Sequence, residues 1–334
     1  MRSLKIAALS IAMALAATAP AIAQQKKTYE VGAAVYGLKA EFMQLWVNSL
    51  KNHPLVKDGT VKVTVYDGKY DALTQNNQFD TMITNKVDGI IFVPIDIEAG
   101  AEAVSKAAAA KIPVVGSNTR VKSDQLASYV GSNDVIAGEM EAESVVKAMG
   151  GKGNVVILEG PIGQSAQIER RKGNMNVIDK HKDVKVLEMK TANWSRAEAL
   201  SLMENWLTAY SGKINGIIGQ NDEMALGAIE AVKAKGIDPK SLPIAGIDGV
   251  ADAVRAVKAG TMVSVLQDAN AQAQGALDVL MRHIVGSSYQ PRSTIWDQYK
   301  SAGLKWDDGM AKTYSIPWTP ITTQNADEIL AARQ

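Results

Sequence analysis

Ile214-Asn-Gly-Ile-Ile-Gly-Gln-Asn-Asp-Glu-Met-Ala-Leu-Gly-Ala228 decides how this chain is read. Ile214 to Ile218 is a short apolar run suited to a buried strand, a polar turn follows, and the spacing predicts a helix from about Asp222. Asn221 falls at the carboxyl end of the strand, where open α/β sheets hold their ligands. Its amide carries donors and an acceptor, which suits a ligand bearing hydroxyls. The same place in the sequence is that of a helix N-cap, and the spacing fits both roles.

Outward from this stretch, strand and helix alternate. On the amino-terminal side the apolar runs Tyr29 to Val35, Val61 to Tyr66, Gly89 to Pro94, Ile112 to Gly116 and Tyr129 to Gly131 read as strands. Helices are expected from about Met43 to Asn52, from Asp71 with Leu73, Phe79, Met82, Ile83 and Val87 on one face, and from Ala99 to Ala110. The pattern then starts again. Helix Val135 to Met149, with Ser132 or Asn133 placed to cap it, leads to strand Asn154 to Leu158 and helix Ala166 to Lys180. Strand Val184 to Met189, a helix through Leu200, Met203, Trp206, Leu207 and Tyr210, and the Ile214 unit follow. Strands at Pro243 to Asp248 and Met262 to Leu266 alternate with helices Ala251 to Lys258 and Ala269 to Val285. Two successive βα series predict two α/β lobes, each a doubly wound parallel sheet with helices on both faces.

A chain of 334 residues, 46% hydrophobic and 21% charged, is globular in balance and long enough for two domains. Its net charge of +1 favours neither nucleic acid nor an anionic membrane surface. The absence of cysteine excludes disulfides, zinc–thiolate sites and cysteine nucleophiles. His53, His181 and His283 lack ligand spacing and read as surface or helix-end residues, so no metal and no cofactor is expected. Met1 to Ala23 has a charged start at Arg2 and Lys5, an apolar run too short to span a bilayer, and a small-x-small ending at Ala21-Ile22-Ala23. It reads as a cleavable export signal, with the mature protein in the periplasm.

The loops carry no recognisable catalytic arrangement. Gly160-Pro-Ile-Gly163 lacks both the Walker ending and the dinucleotide spacing, and no Gly-x-Ser-x-Gly elbow occurs. The chain is therefore read as no enzyme. What the strand-end loops do supply is forked polar side chains, at Asn118, Gln164, Gln167, Arg170, Asn221, Asp248 and Gln267, with aromatic plates at Tyr36, Phe42 and Trp194. Hydroxyls around an apolar carbon face need this combination, since each buried polar group left unmatched costs about 1–3 kcal/mol. Several of these residues have a plainer reading as well. Phe42 fits core packing, Asp248 a helix cap, and Arg170 a solvated helix face.

Gln220 to Gly227, Ala245-Gly-Ile-Asp-Gly249, Tyr129-Val-Gly-Ser-Asn-Asp134 and Gly160-x-x-Gly-x-Ser-Ala166 resemble the corresponding segments of periplasmic ribose-binding proteins and their sugar-binding relatives. Those proteins are the solute receptors of bacterial ABC importers, and the resemblance runs from Tyr29 to about Ile329. It implies the type I periplasmic-binding-protein architecture, with two lobes joined by a three-segment hinge. By this resemblance residues 24–132 and 268–316 form the first lobe, residues 133–267 and 317–334 the second, with crossings near Ser132, Asp268 and Pro317. It places Tyr36, Phe42 and Met43 at the cleft, Phe42 as an aromatic against the sugar and Trp194 opposite it. Asn221, Asp248 and Gln267 match hydrogen-bonding positions in identity.

Two departures separate the chain from the ribose type. Asn118-Thr119 stands where the family has an Asp-Arg pair, and the family's sugar-binding arginine falls at Ile168, leaving Gln164, Gln167 and Arg170 to compensate. The expected ligand is thus a neutral monosaccharide or polyol, a cyclitol or sugar alcohol in preference to ribose. The expected partners are an inner-membrane ABC permease and, as an alternative role, a chemoreceptor, with the receptor itself a monomer. A periplasmic carbohydrate-processing enzyme is the rival reading. The segment from about Arg292 to Thr313, longer than in ribose-binding proteins, has no assigned role.

Overall fold

Gly89–Val93 is buried at every position, as a strand covered by helices on both faces must be. The computed structural model describes residues 27–333, so the expected export signal lies outside the described residues. In chain order the first series is β1 (Tyr29–Val35), α1 (Glu41–Lys51), α2 (Pro54–Lys57), β2 (Val61–Asp67), α3 (Ala72–Thr84), β3 (Gly89–Val93), α4 (Ala99–Ala109), β4 (Val114–Ser117) and β5 (Ser128–Gly131). The second is α5 (Asp134–Ala148), β6 (Gly153–Glu159), α6 (Ser165–Ile178), β7 (Val184–Thr191), α7 (Arg196–Ala209), β8 (Gly216–Gly219), α8 (Asp222–Ala234), β9 (Ile244–Asp248), α9 (Ala251–Lys258) and β10 (Val263–Leu266). The chain ends with α10 (Ala269–Val285), α11 (Ile295–Gln298), β11 (Thr313–Ser315), β12 (Thr319–Pro320) and α12 (Ala326–Ala331).

Two six-stranded sheets result, ordered β11-β5-β4-β3-β1-β2 and β12-β10-β9-β8-β6-β7. All pairings are parallel except β10 with β12. The chain is an α/β protein of two doubly wound lobes. In each sheet the strand order reverses once, between β1 and β3 and between β6 and β8, and a crevice opens beyond the carboxyl ends there. The loops after these four strands carry Tyr36, Pro94, Gly160 and Asn221. α10 follows β10 of the second sheet in sequence yet packs on β3, β4 and β5 of the first.

The rims of the two lobes touch. Ile97 N donates to Gly163 O at 3.0 Å, and Arg120 N donates to Ser165 Oγ at 2.6 Å. Ala251 N, in the first turn of α9, donates to Glu41 Oε1 of α1 at 3.1 Å. α9 has no side-chain cap of its own, so the facing lobe supplies an acceptor for one of its unpaired amides.

One carboxylate gathers the start of the segment after α10. Asp278 is fully buried in the middle of α10 and accepts from Tyr289 OH, Arg292 N, Ser293 N and Oγ, and Trp296 Nε1, at 2.5–3.1 Å. His53 Nε2 lies 3.2 Å from the same group, and His53 Nδ1 accepts from Leu55 N at the start of α2. His53 is thus a helix-end residue, as expected, but a buried one. Trp296 meets Trp306 and Tyr314 edge-on, which fastens the extra length to the first lobe.

Glu141 sits between α5 and α6, where Oε1 accepts from Asn174 Nδ2 at 2.7 Å and Oε2 has no partner among the described residues. Burial pushes its carboxyl up to about 8. An unfolded glutamate titrates near about 4.3, so folding takes up a proton between the two values. Stability therefore falls as pH rises through that window and levels off above it. Glu141→Gln removes the titration. Its melting temperature, followed by circular dichroism, should match the parent near about pH 4 and exceed it above about pH 8; a gap that does not change with pH contradicts this.

Candidate functional site

Loops from both sheets converge on a narrow cavity between the lobes. Tyr36, Ala40, Phe42, Asn118 and Thr119 line it from the first lobe; Gln164, Ala166, Arg170, Trp194, Asn221, Asp248 and Gln267 line it from the second. A wider chamber of about 1050 Å³ opens beside it and shares Ala40 and Trp194, but its other walls, such as Lys39, Asn193 and Glu198, are exposed side chains. Of these two cavities it is the inner one whose walls are buried, with polar atoms left unpaired among the described residues.

Arg170 is the hub. It rises from α6 and is 3% exposed. Its Nε donates to Asp134 Oδ1 at 2.8 Å, Nη1 to Gln220 O at 2.5 Å and Nη2 to Gln267 Oε1 at 3.2 Å. Desolvation opposes its charge, and Asp134 and Asp248 more than offset that. The guanidinium also lies 5.5 Å from the centre of the Trp194 ring, within reach of a cation–π contact.

Trp194 stands on a backbone of positive φ, 59°. Its indole lies against Gly160, where a Cβ would come within 1.9 Å of the ring. Only glycine allows that approach. Trp194 Nε1 donates to Gln164 Oε1 at 2.7 Å, and Gln164 Nε2 donates across the cleft to Pro94 O at 3.2 Å.

Asp248 ends β9 with φ of 131°, followed by Gly249 at 74°. Below this turn the buried Asp222 accepts from Gly249 N at 2.6 Å, Val250 N at 3.1 Å and Ser264 Oγ at 2.6 Å. Beside it Arg333 Nε donates to Gly249 O at 3.1 Å. The turn aims the Asp248 carboxylate into the cavity, where no protein group bonds it among the described residues. Burial raises that carboxyl well above the usual range, against the pull of Arg170.

Three more groups are half used. Asn221 Oδ1 accepts from Met224 N at 2.9 Å, so Asn221 is the N-cap of α8 and a cavity residue at once, with Nδ2 left over. Asn118 Nδ2 donates to Gln272 Oε1 at 3.1 Å, leaving its Oδ1 free. Gln267 Nε2 is buried without a partner among the described residues. The cavity therefore offers one carboxylate, one amide oxygen and two amide N–H groups between the rings of Tyr36, Phe42 and Trp194.

Met43 and Gln167, expected at the cleft, do not line this cavity. Met43 is one helical step past Phe42 and turns fully into the core. Gln167 Nε2 donates to Glu159 Oε1 at 2.9 Å. Gln164 lines the cavity, but both ends of its amide are already engaged. Ile168 points out to solvent, and Arg170 supplies the cation instead. Thr119, named in the sequence only as a departure from the ribose type, lines the cavity, and Ala40, Ala166 and the counter-ion Asp134 are site residues that nothing in their spacing marks. No cluster of three His, Asp or Glu side chains is placed to hold a metal ion among the described residues.

Residues 31–288 match the family described as the periplasmic binding protein domain. The chain is 35% identical over 258 residues to a xylitol-binding protein of Mycolicibacterium smegmatis, covering 77% of this chain and 72% of that protein. It is 34% identical over 272 residues to a putative rhizopine-binding protein of Rhizobium meliloti, covering 79% and 87%. An ABC transporter solute-binding protein of Bacillus halodurans solved with bound myo-inositol superposes with a TM-score of 0.80 at 29% identity, over 92% of this chain and 99% of that one. The chain belongs to this family, as a type I periplasmic sugar-binding protein of ABC transporters.

The double use of Asn221 can be separated. Asn221→Asp keeps a cap acceptor for Met224 N and loses the amide donor, whereas Asn221→Ala loses both. Calorimetric titration should show both variants weakened by about 1–3 kcal/mol in ligand binding. Only Asn221→Ala should also lose about 1 kcal/mol of stability in urea. Full affinity in Asn221→Asp would remove Nδ2 from the site.

Proposed function

We propose that this receptor takes a neutral polyol, a cyclitol or sugar alcohol in preference to ribose, and delivers it unaltered to an inner-membrane permease. The observation that carries the reading is the set of unpaired atoms in the cavity: Asp248 carboxylate, Asn118 Oδ1, Asn221 Nδ2 and Gln267 Nε2. Vicinal hydroxyls donate to the first two and accept from the others. Asp134 already pairs with Arg170, and among the described residues that line the cavity no other cation is left for a carboxylate or phosphate. Tyr36, Phe42 and Trp194 offer flat apolar faces to the carbon skeleton. Relatives named for xylitol and solved with myo-inositol support the same class.

In this reading the lobes comprise residues 24–132 with 268–316 and residues 133–267 with 317–334, and they close by bending near Ser132, Asp268 and Pro317. The protein works as a monomer, exported to the periplasm through the segment Met1 to Ala23. The permease tells loaded from empty receptor by the closed shape.

A thermal-shift screen against xylitol, myo-inositol and ribose is the first test. A polyol should raise the melting temperature more than ribose does, because a ligand bound only by the folded form stabilises it; no shift with any polyol overturns the proposal. The second test is pH. Hydroxyls donated to Asp248 favour its charged form, so binding should release protons and tighten as pH rises through the titration of the free protein's Asp248. Calorimetry in buffers of different ionisation enthalpy reads that release directly.

A further inference from the structure

Gln164 occupies the N-cap position of α6, yet its side chain makes no cap bond. It reaches across the cleft instead. The orientation of its amide is fixed by chemistry, since the indole N–H of Trp194 needs an acceptor and the carbonyl of Pro94 needs a donor. Oε1 therefore faces Trp194 Nε1 at 2.7 Å, and Nε2 faces Pro94 O at 3.2 Å. Pro94 belongs to the first lobe, directly after β3, and Gln164 and Trp194 belong to the second. Gln164 is 1% exposed, so neither bond is screened by solvent.

Its neighbours lie on the same seam. Gly163 O accepts from Ile97 N and Ser165 Oγ accepts from Arg120 N, both across the lobes. Of the three successive residues, only Gln164 also lines the cavity. Trp194 has a positive φ and a glycine beneath its ring, so its seat depends on what grips the indole edge. The described bond on that edge is the one to Gln164.

We infer that Gln164 is a positioning residue that couples lobe closure to the seating of Trp194. When the lobes part, Pro94 O leaves the amide, one of its two anchors is gone, and the indole edge is held by a side chain free to swing. Closure therefore completes the aromatic wall as well as shutting the cleft. This rests on the reading of the cavity as the ligand site, and it gives Gln164 a role other than touching the ligand.

Two variants separate the parts. Once ionised, Gln164→Glu still accepts from Trp194 but has no proton for Pro94 O, whereas Gln164→Met loses both bonds; burial raises a carboxyl at this site, so the ionised form is read at about pH 9. In stopped-flow binding of xylitol or myo-inositol, both variants should dissociate about tenfold faster with little change in association rate. Acidification from about pH 9 to about pH 5 should restore Gln164→Glu relative to the parent at the same pH, because the protonated acid has an O–H to donate, and should not restore Gln164→Met. Spin labels at the exposed Lys86 and Lys180, one on each lobe, read closure without ligand. Their separation should shift outward in both variants at about pH 9, and return in Gln164→Glu alone on acidification. Unchanged dissociation together with unchanged separation overturns the inference, as does a defect in Gln164→Glu that persists on acidification. If no polyol binds even the parent protein, the functional reading fails, and the label distances still decide the role of Gln164.

Discussion

A buried guanidinium organises this protein's cleft. Arg170 would be untenable at 3% exposure without partners, since stripping water from a cation costs several kcal/mol. Its partners come from four places far apart in sequence: Asp134 at the start of α5, the carbonyl of Gln220 after β8, Gln267 after β10, and the face of Trp194 after β7. A planar fork of donors satisfies all of them at once, as a lysine could not. The fork also fixes the amide of Gln267, whose oxygen turns to Arg170 and whose nitrogen is left without a partner among the described residues.

The second constraint is backbone strain. Asn118, Trp194 and Asp248 all hold positive φ, at 60°, 59° and 131°. Such conformations cost about 1–3 kcal/mol each in non-glycine residues and survive where the surroundings over-determine them. Each is held. Tyr129 OH grips the carbonyl of Asn118 at 2.6 Å, Gly160 and Gln164 hold the indole, and Asp222 with Arg333 clamps the turn after Asp248. All three residues line the cavity, whereas the other described non-glycine residues with positive φ, such as Lys69 and Asp307, lie outside it.

Much of this was legible in the sequence, and the reason is periodicity. Buried parallel strands such as Gly89–Val93 read as apolar runs, and the loops that follow them must reach one end of the sheet, so Tyr36, Asn118, Asn221 and Asp248 could be placed without coordinates. Direction within a helix was harder. Met43 follows Phe42 by one residue, a turn of about 100°, and that sends it into the core. Gln167 was plausible by composition but had a nearer acceptor in Glu159. Long-range pairings left no local trace. Asp134 lies 36 residues from Arg170, and the start of the segment after α10 is gathered by Asp278, which sits unmarked inside a helical pattern. The cap and ligand readings of Asn221, which spacing could not separate, do not exclude one another: its oxygen caps the helix, and the residue also lines the cavity.

The two walls of the cleft are chemically unequal. The second lobe carries the charges and most of the unpaired polar atoms, while the first contributes two aromatic rings and the half-used amide of Asn118. Asn118 and Thr119 are neutral, and Thr119 Oγ1 is spent on Pro94 O at 2.7 Å. Bringing such a wall over a ligand removes mostly apolar surface from water, which is favourable at roughly 25 cal/mol per Å². A charged wall would have to shed its hydration before gaining any contact. In the proposed function the neutral pair on the first lobe and the paired guanidinium on the second would act together: fixed polar atoms on one side would set which hydroxyl pattern fits, and an apolar cover on the other would drive closure with little dependence on that pattern.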